Sequence, residues 1–121
     1  MHNRADYLNQ RNDALSKYGE CNCVIESYST SHRELIMRAE SILDRNKHAN
    51  IRFQDVTYMN IPTSLRVSRW EVLDYQSCPE VHPFITEHVG TSHFAIKLMA
   101  ENNYFYVTCG LVFVEDDKGC H

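Results

Sequence analysis

The chain has 121 residues, 43% apolar and 23% charged, with a formal net charge of −4 and a pI near 5.9. These figures fit one globular domain with a real core. They speak against nucleic acid as the main partner, since there is no basic run, and no apolar stretch approaches the about 18 residues needed to cross a membrane.

The opening MHNRADYLNQRND lacks the apolar centre of a signal peptide, so the expected location is cytoplasmic. Five cysteines, an odd number without framework spacing, fit reduced thiols.

The first expected element is a helix over residues 4–18. Asn3 can cap it, Leu8, Ala14, Leu15 and Tyr18 form a partial stripe, and Gly19 is placed to end it. CNCVIESY, from Cys21 to Tyr28, reads as a short strand with Cys23 and Ile25 on one side. A second helix is expected over 32–46. Ser31 and Glu34 match a capping box, and Leu35, Ile36, Ala39, Ile42 and Leu43 fall on one helical stripe.

Two long strands are expected at about 51–61 and 65–75, on either side of Pro62-Thr63-Ser64. Each changes phase partway, near Gln54-Asp55 and across Ser68-Arg69, which is what a β-bulge does. Two such bulges imply a curved sheet. Gln76 to Pro83 reads as a loop, and a strand over about 84–99 leads into the closing hairpin.

That hairpin is the clearest local pattern. Phe94, Ile96 and Leu98 alternate on one strand; Phe105, Val107, Cys109, Leu111 and Phe113 alternate on the next, over about 104–114. A turn at Asn102-Asn103 would set Leu98 opposite Val107 and Ile96 opposite Cys109. The other face carries Tyr104, Tyr106, Thr108 and Val112, less charged than a solvated face should be. The expectation is a homodimer through that face.

The element order resembles the nuclear-transport-factor-2-like superfamily, which includes SnoaL-like proteins. The residues carrying it are KYGECNCVIESYSTSHRELIMRAESIL, HANIRFQDVTYM, LRVSRWEVLDY and the hairpin HFAIKLMAENNYFYVTCGLVFVED. The resemblance implies an α+β fold of two N-terminal helices on a curved antiparallel sheet, a cone-shaped, cystatin-like arrangement with a pocket between them. It also implies dimers through the outer sheet face. Members include isomerases, dehydratases, cyclases and hydrolases as well as non-catalytic binders, so fold alone assigns no function.

The ligand-lining candidates are Tyr58, Trp70, His88, Phe94, Ile96, Val107 and Cys109. Acid–base chemistry in such a pocket needs an inward His or carboxylate; strand parity favours His88, and Asp55, which a bulge at the phase change would turn inward, is the carboxylate to pair with it. Cys78, His82, His88 and His93 lie close in sequence but match no zinc spacing, and Cys21-Asn22-Cys23 with Cys120-His121 read as chain ends. No metal and no cofactor is expected. There is no G-x-S-x-G and no glycine-rich phosphate loop. The expected function is binding of a small apolar ligand, with an isomerase-, dehydratase- or hydrolase-type enzyme using His88 and a carboxylate, or a protein-interaction or inhibitory module, as alternatives.

Overall fold

Alternation of buried and exposed residues at period two dominates the chain after residue 20 and gives it its architecture. The computed structural model describes residues 4–18, 20–44, 46–85 and 93–117. Helix α1 (Arg4–Ser16) precedes strands β1 (Cys21–Ser29), β2 (Glu34–Ser41), β3 (His48–Gln54), β4 (Tyr58–Met59), β5 (Ser64–Val67) and β6 (Arg69–Asp74). Two 3₁₀ turns, Tyr75–Ser77 and Pro79–Phe84, lead on to β7 (Phe94–Ala100), β8 (Asn103–Cys109) and β9 (Leu111–Asp117). The class is α+β, with one long helix and two antiparallel sheets, ordered β5-β1-β2-β3-β9 and β4-β8-β7-β6.

The expected second helix is instead strand β2. Leu35, Met37, Ala39 and Ser41 point inward while Glu34, Ile36, Arg38 and Glu40 point outward. The same residues also satisfy a helical stripe, but Leu43, which that stripe would bury, is 87% exposed. β2 lies between β1 and β3 and pairs with both, and two hydrogen-bonded ladders override a local helical preference.

Both expected phase changes are present. At the first, Asp55 takes a positive φ of 57° between β3 and β4. At the second, Ser68 separates β5 from β6 and donates from its backbone N and its Oγ to the Met99 carbonyl, at 2.8 and 3.1 Å. A third bend falls at Gly110, between β8 and β9, where the backbone N–H donates to the Gln54 carbonyl at 2.8 Å. A Cβ here would meet the Asp55 Cβ at 3.3 Å, so the position favours glycine.

Each bent strand passes from one sheet to the other, and the pairings close into a ring. β1 joins β2 and β5; β3–β4 runs beside β8–β9; β7 joins β6 and β8. The interior is filled by Leu35, Met37, Ile51, Phe53, Val67, Val72, Ile96, Leu98, Val107 and Val112, all at most 2% exposed.

The hairpin differs in two respects from its expected form. Ala100 pairs with Asn103 around Glu101-Asn102, with Glu101 at φ 54°, so Ile96 faces Val107 and Phe94 faces Cys109. That register differs from the expected one by an even number of residues, so the same apolar faces still meet. The second difference comes from Gly110. It reverses parity, so Leu111 turns outward at 42% exposed and Val112 turns into the core. Val112 is therefore not part of the outer face. Of the expected strand over 84–99, Phe84 closes a 3₁₀ turn and β7 runs from Phe94, while residues 86–92 lie outside the described residues.

Helix α1 contributes few apolar residues, chiefly Leu15, with Tyr7 and Leu8 at the core margin. It is held largely by hydrogen bonds to two sheet edges. The Asn12 amide donates through Nδ2 to the Val72 carbonyl at 3.0 Å and accepts at Oδ1 from the Val72 N–H at 2.7 Å. The Tyr7 hydroxyl donates to the Val112 carbonyl and accepts from the Val112 N–H, both at 3.0 Å. The Tyr7 ring stacks on Phe94, with centroids 4.7 Å apart. Among the described residues no helix is long and apolar enough to cross a membrane.

Replacing Asn12 by Ala leaves both Val72 backbone groups without their partner. Chemical denaturation is expected to show a loss of about 2–3 kcal/mol, at the upper end of what an unsatisfied buried polar group costs.

Candidate ligand-binding cleft

The docking of α1 beside β6 leaves a surface depression between them. It is an open cleft of about 460 Å³. Asn12, Asp13, Leu15 and Ser16 form the helix wall; Ser68, Arg69, Trp70, Glu71, Val72 and Leu73 form the strand wall. Asp13, Ser16, Ser68 and Arg69 are exposed, whereas Leu15, Trp70 and Val72 form a buried apolar base. The cleft thus offers an apolar floor and a rim carrying both charge signs and two hydroxyls. A smaller depression of about 100 Å³ shares Arg69, Trp70 and Glu71 and adds Lys97, Met99 and Tyr104.

Of the described residues expected to line an internal pocket, Trp70 alone lines these clefts. Phe94, Ile96, Val107 and Cys109 lie packed in the core. Burial, followed by the Asp55 charge, pushes the Cys109 thiol up, which makes it a poor nucleophile at neutral pH. Tyr58 stacks on Phe84 on the outside of the second sheet, with centroids 5.5 Å apart. His88 lies outside the described residues. Asp55 meets His93 instead, with Oδ2 to Nε2 at 3.2 Å; its carboxylate side chain is mostly exposed and the imidazole mostly buried. Parity could not supply that contact, because the positive φ at Asp55 re-aims its side chain.

The outer face of the second sheet is covered from within the chain. Tyr75, Cys78 and Val81 of the 3₁₀ turns pack over Ala95, with Leu73, Ile85 and Tyr106 at their margin. Thr108 is buried too, and its hydroxyl lies 2.7 Å from the Thr57 hydroxyl. Low charge on this face is therefore accounted for without a second subunit. Tyr104, at 48% exposed, is its open part.

Glu80 fastens the cover. It accepts from the Tyr106 hydroxyl at 3.1 Å and lies 3.8 Å from Lys97 Nζ, while Lys97 sits over the Tyr104 ring at 4.3 Å. Burial and a hydrogen bond to Glu80 push the Cys78 thiol up to about 12. His82 stacks on Tyr75 and its Nε2 lies 2.9 Å from the Tyr75 carbonyl. Cys78, His82 and His93 thus have separate structural partners. No group of three or more metal-type side chains gathers among the described residues. Compared with family models, curated proteins and solved structures, the chain matches none.

Burial first, and then the bond to Glu80, raise the Tyr106 phenol to about 12. An ordinary phenol titrates near 10. Because the folded value is the higher one, this contribution to stability is complete below about pH 10 and is lost as the pH rises towards 12. Alkaline difference spectroscopy should show Tyr106 titrating late, and Glu80→Gln should move it towards the ordinary value.

Proposed function

We propose that the chain is a binding domain whose small-molecule ligand sits in the cleft between α1 and β6. The observation that carries this reading is the cleft itself. Its volume of about 460 Å³ falls within the range of small-ligand sites. The ligand it suits is amphipathic, with an apolar part against Leu15 and Trp70 and a polar part between Asp13, Arg69 and Glu71. A purely apolar ligand would leave those charged groups desolvated without partners.

A reading in which the ligand lies inside the barrel gains less support, since Phe94, Ile96, Val107 and Cys109 already pack against one another. Self-association is a second reading. It draws on the open part of the second sheet's outer face, where exposed Tyr104 adjoins the smaller cleft.

Ligand-observed magnetic resonance with a set of small aromatic acids and amines tests the first reading. Bound compounds are expected to shift the indole N–H of Trp70, the chain's one tryptophan. Ser16→Trp, which fills the cleft, should abolish that shift without unfolding the protein. Arg69→Ala should weaken acidic compounds about tenfold, equal to 1.4 kcal/mol. Compounds that bind Ser16→Trp as well as they bind the parent would exclude the cleft.

A further inference from the structure

Two thiols lie beneath the apolar floor of the cleft. Cys21 and Cys23 are two residues apart on β1, so both side chains leave the same face of the strand. That face is the barrel interior, where both are buried with their sulfurs 3.5 Å apart. Their cross-strand neighbours are Ser41 and Val67 for Cys21, and Ala39 and Leu65 for Cys23. Trp70 closes the site on the cleft side. It is only 8% exposed, its buried Nε1 makes no well-formed hydrogen bond, and that N–H interacts with the Cys21 thiol.

The geometry discriminates between two uses of the pair. A disulfide needs sulfurs about 2.05 Å apart and Cβ atoms within about 4.5 Å. Same-face neighbours on an extended strand are spaced by about 6.6 Å, so a bond would require the strand to buckle. An ion held between two sulfurs needs them about 4.5 Å apart, roughly twice a metal–thiolate bond. The observed separation of 3.5 Å falls about 1 Å short of that. The set is too small for zinc, which takes four ligands, but thiol sulfur selects soft ions.

We propose that Cys21 and Cys23 form a two-sulfur site for a soft monovalent metal ion of the Cu(I) type, sealed from solvent by Trp70. Binding displaces the proton of one thiol to solvent and forms one bond to that thiolate. A second bond forms to the other sulfur, which keeps its proton. No electron is transferred, and the filled site carries no net charge, as an apolar interior requires.

The test uses the reduced full chain under anaerobic conditions, with Ag(I) alone as one probe and Cu(I) buffered by bicinchoninate as another. Expected are uptake of one equivalent, release of one proton per ion, and quenching of the single tryptophan's fluorescence. Cys21→Ala and Cys23→Ala should lose the quenching and the equivalent, and Cys120→Ala should retain both. X-ray absorption of the copper-loaded parent should show two sulfur neighbours and no nitrogen or oxygen. This measurement decides the matter even if the cysteine variants fail to fold. No uptake by the parent, quenching that survives in folded Cys23→Ala, or nitrogen or oxygen at the metal would each overturn the proposal.

Discussion

The structure depends on how two strand edges are satisfied. A ring of bent strands leaves β6 and β9 each with one side facing no strand where the two sheets part. Buried backbone groups cannot go without partners. Helix α1 has no backbone donors to spare for a sheet, so two side chains substitute. Asn12 offers a donor and an acceptor in the spacing of a peptide group, and the Tyr7 hydroxyl does the same with one oxygen. This is why a largely polar helix docks firmly on an apolar barrel. It is also why a cleft exists, because a helix fastened at these points stands away from β6 along one flank.

Much of the sheet was legible in the sequence. The alternation of Phe94, Ile96 and Leu98 against Phe105 and Val107 placed the hairpin, and the parity breaks near Asp55 and Ser68 located two of the bends. The third bend was hidden because Leu111 and Phe113 continue the apolar alternation past Gly110 as though nothing changed. The stretch from Leu35 to Leu43 satisfies both periods, and only its neighbours in space decide between them. Element order had suggested two helices on one curved sheet, and that order changes once this stretch is a strand.

The cleft was less legible than the fold. Asn12 and Val72 are sixty residues apart, and no local pattern joins Asp13 and Ser16 to Arg69 and Glu71. Trp70 was visible as an aromatic beside a bulge, but its double position, cleft on one side and thiols on the other, belongs to tertiary packing. The Cys21 and Cys23 pair carried a same-face signal that was read as a chain end because β1 looked short. The partial cover of the charge-poor hairpin face was not legible, because it comes from a loop whose proline-containing sequence conceals an apolar underside of Tyr75, Cys78 and Val81.

The Tyr7 to Val112 bonds span 105 residues. The helix leaves the ribosome before any strand, yet the strand edge that receives Tyr7 is made after all the other described elements. The Tyr7 contact therefore cannot form during synthesis until β9 has been made, whereas the Asn12 contact needs only β6, so the helix can be held at one edge before the other exists.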